Sequence, residues 1–419
     1  MIYKALNSSV HTNRRNQIAH VLISLAAALL CAGIASGQAT DAQAPENHGV
    51  GYTGTLPYEG SAKNALAAAA AGKTIPLASY SFRATKDGLT HKDTIVGSSP
   101  FATKKITTTI NVLIVPVIVN IGSTIFDPTA NDSCIGSNIT PLAAFQQSPI
   151  LQNVVFDGGS GNGHGALMNG VNVGTGTYLD GFRRAEFWTK VTGTNYHTAF
   201  HVTTAPTWTI SAAEVQNLGG GNVLHSSCAQ LGVLPTLSFQ NYIQNTVIPA
   251  IPAITPTTFA LFLMKDVVTT TASGLNCLNF CEIGYHAAFG SPVQTYSVSE
   301  YDSTLNFWNS SGIKNISILA HEVGEWMDDP LVTNPTPAWG NIGQTSGCQT
   351  NWEPGDPLTG TDFPAIKMPN GITYNPQELA FWSWFYNAQH TPSIGAGGKF
   401  SSNGSLGGPS KPCPPGGTY

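Results

Sequence analysis

Apolar and polar positions alternate along residues 77–83 and 90–96, and Lys86-Asp87-Gly88 stands between the two stretches. A period of two interrupted by a turn signal predicts a β-hairpin. Residues 106–121 alternate at first and then become continuously apolar, which predicts a strand buried on both faces. Pro116 inside that run predicts an edge position or a bulge, because proline donates nothing to a ladder. Further strands are expected at 198–210, 258–268 and 293–301. Helices are expected at 180–191, 211–218 and 237–247, with a broken one at 140–155 near Pro149. Residues 157–177 are so rich in Gly and Asn that they read as a long loop. Asn375 as a cap, Pro376 at the first helical position and Glu378 at the third predict a helix over 375–387. With no internal repeat, this mixture of strands and helices predicts an α+β fold.

Composition narrows the function classes. Only 10 % of the 419 residues are charged, against roughly 25 % in an ordinary soluble domain. The net charge is −5 and no run of basic residues exceeds two, so the footprint of a nucleic-acid binder is missing. Lys4, Arg14 and Arg15 precede an apolar run at 18–35, and Ala35-Ser36-Gly37 offers small residues for cleavage, the pattern of an export signal. The run is short for a membrane span and His20 interrupts it. Cleavage after Gly37 removes those three basic residues and takes the charge to −8. The expected location is secreted or periplasmic/extracellular, with no membrane attachment after cleavage. Beyond Cys31 in the apolar run, six cysteines remain, an even count that favours disulfides in an exported chain. The organisation expected is a signal at 1–37, a linker or pro-segment containing the hairpin at 38–105, a metal-binding domain at 106–390, and a Gly/Pro-rich tail at 391–419.

One segment carries chemistry. Residues 313–330 read IKNISILAHEVGEWMDDP, with Ser310 or Ser311 as a cap and Pro330 as a stop. At about 100° per residue, Ile316, Leu319, Ala320, Val323, Trp326 and Met327 share one side. His321, Glu325 and Asp328 fall on the other, flanked by Glu322 and Asp329. His321 and Glu325 are one turn apart, so both can reach one cation. Glu322 points to where it can take a proton from a metal-bound water. This is the geometry of H-E-x-x-H with Glu in place of the second His. A catalytic zinc takes three protein ligands. The third is expected from residues 351–357, where Glu353 is the first choice and Asp356 the second. Trp352 can anchor that loop, whereas Asp329 sits at a fraying helix end.

Other histidines fit less well. His197 and His201 lie in a strand-like context that would hold them ~13 Å apart. His286 either lines the site or is a buried structural residue. No G-x-S-x-G elbow occurs, which excludes the common serine-hydrolase arrangement.

The stretch ILAHEVGEWMDDPLV, a Trp-bearing loop, and then WEPGDPL together resemble the zincin-type pattern H-E-x-x-E…D/N-P…E-x-G-D. The pattern is similar to that of secreted Exordium-like (phosphate-induced) proteins and of HExxE metallopeptidase-like proteins from bacteria and fungi. Upstream, LFLMKDVV…CLNFCEIGYHAAFG resembles their strand, Cys pair and G-[YWT]-H segment. The resemblance covers roughly residues 258–360, and 106–390 more loosely. It implies a zincin-like fold, with a twisted mixed sheet, an active-site helix and a loop-rich C-terminal part. It also implies His321 and Glu325 as ligands, Glu322 as general base, and Glu353 or Asp356 as third ligand. In zincins an edge strand precedes the active-site helix, and residues 293–301 are expected to fill that place and pair with an extended peptide. A carboxylate in place of imidazole is a harder ligand, so the cofactor is Zn2+ or another divalent metal. The function expected is a secreted metal-dependent peptidase-like hydrolase acting on a protein or peptide substrate. The alternative is a non-catalytic secreted binding or cell-surface protein on the same scaffold. Its contact surfaces would be the 157–177 loop and the aromatic helix near the C-terminus.

Overall fold

The computed structural model describes residues 49–419 except 137, 159–165, 167, 306, 309–311, 387–391, 395–398, 412 and 414–419. The export signal, Ser310 and Ser311 therefore lie outside the described residues. The described chain opens with β1 (Gly51–Leu56) and α1 (Ala62–Ala70). Residues 62–70, within the stretch expected to be a linker or pro-segment, are helical because they are mostly alanine, which has the best helix propensity of all residues. The hairpin follows as β2 (Leu77–Arg83) and β3 (Thr90–Val96), in unbroken register from Leu77–Val96 to Arg83–Thr90. Next come β4 (Thr107–Ile121), β5 (Thr124–Phe126) and α2 (Pro141–Gln146), the last capped by the Thr140 side chain. β6 (Val154–Asp157) and β7 (Asn172–Gly176) pair across the Gly/Asn-rich segment, so its flanks form a ladder and not a loop.

α3 (Tyr178–Glu186), α4 (Trp188–Val191), β8 (His197–Thr204) and β9 (Trp208–Ile210) lead to α5 (Ala212–Asn217), where Ser211 and Glu214 form a capping box. β10 (Asn222–Leu224), β11 (Leu231–Pro235) and α6 (Thr236–Tyr242) follow, and a π turn leads into α7 (Ile248–Ala250). β12 (Thr258–Lys265), β13 (Val267–Thr270), β14 (Cys281–Phe289) and β15 (Gln294–Tyr301) precede α8 (Ser317–Asp328). β16 (Pro335–Ile342) and β17 (Thr345–Asn351) form a separate hairpin, and α9 (Trp382–Tyr386) closes the series.

The architecture is mixed α+β around one large mixed sheet. Its order is β10-β11-β13-β14-β15-β12-β4-β5, with β1 added on β14 and both β8 and β9 on β4. β4, β12 and β15 run parallel, whereas β14 is antiparallel to β15. Alternate residues of the central strands face two cores. Ile110, Val112, Ile114, Phe259, Leu261 and Leu263 pack with α3 and α8. Leu113, Val115, Val117, Ala260, Phe262 and Met264 pack with α5 and α6 on the other side. That explains the unbroken apolar run of β4, which is buried on both faces as its sequence predicts.

Pro116 occupies neither an edge nor a bulge. β12 lies on one side of β4, with Leu263 opposite Pro116. On the other side β8 ends opposite Ile114 and β9 begins opposite Val117. The missing N–H thus falls where β4 changes partners.

The helix expected at 375–387 is confined to α9. Gln377 and Glu378 are drawn into tertiary contacts instead. The Glu378 carboxylate accepts from Ser401 Oγ at 2.5 Å and from Asn403 N at 2.8 Å, in place of capping a helix. Phe381, Trp382, Trp384, Phe385 and Tyr386 are all buried, so they offer no exposed aromatic surface. Three disulfides tie the fold: Cys134–Cys228, Cys277–Cys281 and Cys348–Cys413.

Asp93 of β3 gives a test of this packing. Its carboxyl is buried and accepts from Trp382 Nε1 and Tyr386 OH, each at 3.2 Å. Burial pushes its pKa up to about 7. A raised carboxyl holds its proton in the folded state, so the stability it permits is present at low pH and lost as pH rises from the ordinary carboxylate range to about 7. The loss is on the order of 4 kcal/mol. Urea unfolding of Asp93→Asn and wild type at pH 5 and pH 8 should show the variant gaining on wild type at the higher pH. An unchanged difference between the two pH values would contradict a neutral Asp93.

Candidate metal centre

α8 is buried on all sides. Its apolar side joins the core beneath the sheet, where Trp326 stacks on Phe259 with ring centroids 3.6 Å apart and donates to Thr295 Oγ1 at 3.0 Å. Its polar side faces protein instead of solvent. Asp328 pairs with Arg183 of α3 at 2.6 Å, and Asp329 accepts from the backbone N–H groups of Thr333 and Asn334. These two acids close the helix end and leave His321, Glu322 and Glu325 to the centre.

The orientation of His321 is fixed from behind. Its Nδ1 lies 3.1 Å from Gln377 Oε1, and Gln377 Nε2 donates to Gly355 O at 2.8 Å, which sets the amide with its oxygen toward the ring. An amide oxygen only accepts, so Nδ1 carries the proton and Nε2 faces forward. Around Nε2 lie Thr53 Oγ1 at 2.7 Å, Glu325 Oε1 at 2.9 Å and Asp356 Oδ1 at 3.5 Å. Glu325 Oε1 also accepts from Gly355 N at 3.0 Å. Gln344 joins the group, donating to Asp356 Oδ1 at 2.5 Å and to Thr53 O at 2.9 Å. Gly355 passes so close that a Cβ there would meet three atoms of the His321 ring at 2.5–2.6 Å.

A second set lies beside the first. His286 of β14 is fully buried, with Nδ1 at 3.2 Å from Glu322 Oε2 and 3.6 Å from Glu325 Oε2. Its Nε2 is 3.8 Å from Glu353 Oε2, too far for a hydrogen bond. Burial first, and the charge of His321 second, push His286 down to about 3, so it is a neutral ring donating to Glu322 and the pair is not ionic. His286 Nε2, Glu322 Oε1 and Glu353 Oε2 have no hydrogen-bond partner among the described residues.

The candidate third ligands separate here. Asp356, the second choice by sequence, reaches the His321–Glu325 pair. Glu353 is held by Asn351 Nδ2 at 2.7 Å and turns its other oxygen toward His286. Trp352 is buried and anchors the loop, but the close passage of Gly355 over the ring carries Asp356 round to Nε2. Thr53 and Gln377 gave no sequence signal, since both reach His321 across long separations, and Gln344 acts through Thr53 and Asp356. His197 and His201 share β8 but bind separately, to Asp180 and Asn111.

Residues 293–301 are not an edge. β15 is paired on one side with β12 and on the other with β14. The outer edge of β14 is taken by β1, in parallel, from Gly51–Cys281 to Leu56–Ala287. Thr53 of that added strand is the group on His321 Nε2. A cleft of about 330 Å³ lies outside Thr53 and Asp356, lined also by Thr55, Val332 and Gln344, and His321, Glu322 and Glu325 are not among its lining residues.

The donor set suits a divalent cation. His321, Glu325 and Asp356 each offer an atom within 4.8 Å of the others, and His286, Glu322 and Glu325 do the same. With Nδ1 protonated, a neutral His321 would confront two carboxylate oxygens lone pair to lone pair. A proton, on the ring or on a carboxyl, or a metal ion at Nε2 reconciles them. With protein charges alone, burial pushes Glu322, Glu325 and Glu353 up, and neighbouring carboxylates add to it. Burial would lower His321, but Glu325, Asp356 and Glu322 outweigh it and hold the ring well above its ordinary value. One imidazole nitrogen with carboxylate oxygens is a set that zinc and other borderline or harder divalent ions accept.

The chain matches no protein-family model, no curated protein and no solved structure. Among the described residues, no helix is long and apolar enough to cross a membrane.

Proposed function

We propose that this chain is a secreted metal-dependent hydrolase of the peptidase type, on a zincin-like scaffold. The observation that carries the reading is the convergence of His321 Nε2, Glu325 Oε1 and Asp356 Oδ1 on one buried point, beside an unpartnered oxygen of Glu322. His321, Glu325 and Asp356 would hold the ion, zinc or another divalent metal. When bound, such an ion polarises a carbonyl and lowers the pKa of water toward ~7. Gln377 keeps the imidazole proton on Nδ1 and so keeps Nε2 available. Glu322 accepts the Nδ1–H of His286 with one oxygen and leaves Oε1 free to take a proton. Its burial raises its pKa, which strengthens it as a base toward such a water. Thr53 would yield Nε2 to the ion, and substrate would approach from the cleft beside Asp356. The three disulfides are compatible with an extracellular setting.

The non-catalytic reading rests on Thr53, which sits on Nε2 and closes the centre. Glu322→Gln separates the two. In the hydrolase reading it should cut turnover of a broad peptide library by ~100-fold or more while metal content stays at the wild-type level. Wild type that cleaves no peptide in that library, with metal bound, would favour a binding protein.

A further inference from the structure

Away from α8, a second group of acids lies where β12 and β15 end. Asp266, Glu300 and Asp302 are 0 %, 0 % and 3 % exposed, and each offers a carboxylate oxygen within 4.8 Å of the others. Asp132 adjoins them through Ser303 Oγ, which lies 2.6 Å from Asp132 Oδ2 and 2.7 Å from Asp266 Oδ2. Lys265 is the cation among them, 2.5 Å from Asp266 Oδ2 and 3.1 Å from Asp132 Oδ2. One ammonium therefore pairs with two of four neighbouring carboxylates.

Not all of these oxygens are satisfied. Asp266 Oδ1 accepts from Ser303 N, and Asp302 Oδ1 from Thr304 N and Oγ1. Neither oxygen of Glu300 has a hydrogen-bond partner among the described residues, whereas Trp308 lies against Asp302 and lowers a pKa that burial raises. A buried carboxylate with neither oxygen bonded is costly unless something else neutralises it. Glu300 shares its face of β15 with Val298 and Tyr296 of the apolar core.

We infer that Asp266, Glu300 and Asp302 form a structural Ca2+ site. The donors are carboxylate oxygens alone, which selects a hard cation over zinc or copper. Ca2+ takes carboxylates singly or in bidentate fashion in irregular geometry, whereas Mg2+ demands near-octahedral order and keeps its waters. The half-buried Lys265 side borders solvent and gives the ion its way in. The site would also brace the metal helix. The backbone of Asp302 exchanges hydrogen bonds with Asn315, at 3.1 and 2.8 Å, immediately ahead of α8. Ca2+ would thus tie the ends of β12 and β15 to the entry of the helix that bears His321. The inference does not depend on hydrolase activity.

The test is Ca2+ titration of the zinc-loaded full chain after treatment with a Ca2+-selective chelator, by calorimetry and by thermal unfolding. Wild type should bind one Ca2+ per chain and unfold at a higher temperature with it. Glu300→Gln, a neutral isostere, and Asp302→Asn should each weaken Ca2+ binding by at least about 10-fold. His321→Ala should bind Ca2+ as wild type does, which separates this site from the centre on α8. Wild type that binds no Ca2+, while Glu300→Gln alone raises the unfolding temperature, would mark a protonated cluster and overturn the inference. Unchanged Ca2+ affinity in both acid variants would overturn it equally, and so would its loss in His321→Ala.

Discussion

Asp356→Asn is expected to lower affinity for a divalent metal by at least ~10-fold, while Glu353→Gln changes it far less. Asp356 Oδ1 lies 3.5 Å from His321 Nε2, within reach of the ion that Glu325 and His321 would share. Glu353 is directed elsewhere, one oxygen on Asn351 and the other toward His286. Asparagine keeps the shape of Asp356 and its contact with Gln344 but loses the charge that a cation needs. His321→Ala should remove retained metal altogether, because it deletes the nitrogen donor. Competition against a chromogenic chelator measures all three. If Glu353→Gln strips the metal and Asp356→Asn does not, the ion belongs to the His286 side.

Gly355→Ala should abolish metal retention although residue 355 contributes no ligand atom. The new Cβ would stand 2.5–2.6 Å from Nδ1, Cε1 and Cγ of His321, a distance that real contacts do not tolerate. The ring cannot yield, since Gln377 holds Nδ1 and the ring is fully buried. The loop must lift, and Asp356 lifts with it. Overpacking of this kind also costs about 1–3 kcal/mol of stability. Gly324→Ala is the control. Its Cβ would meet Leu379 Cδ1 at 2.7 Å, the far end of a flexible side chain, and not His321. Metal content and thermal unfolding of both variants should show loss of metal in the first and retention in the second. Full metal content in Gly355→Ala would mean the loop does not hold Asp356 against the ring.

What could be read in advance was local. The hairpin of β2 and β3, the buried strand β4 and the helix α8 announce themselves by period. The spacing of His321, Glu322 and Glu325 is visible because one helical turn fixes it. Three things were hidden for a shared reason. β1, GYTGTL, has no apolar alternation, and its strand character comes from the open edge of β14, more than two hundred residues away. β14 carries His286 yet shows no alternation, because both of its faces are covered. The choice between Glu353 and Asp356 turns on how Gly355 crosses the His321 ring and how Gln344 meets Thr53. No spacing records those contacts. The helix expected at 375–387 failed in the same way, since Gln377 and Glu378 satisfy His321 and the 401–405 turn in preference to a helix cap.

The most direct measurement is X-ray diffraction from crystals of the zinc-reconstituted protein, recorded at the zinc absorption edge. One anomalous peak is expected, bonded to His321 Nε2, Glu325 and Asp356 at about 2.0–2.2 Å. No peak at this centre, or a peak ligated by His286 and Glu353 with His321 left out, would contradict the assignment.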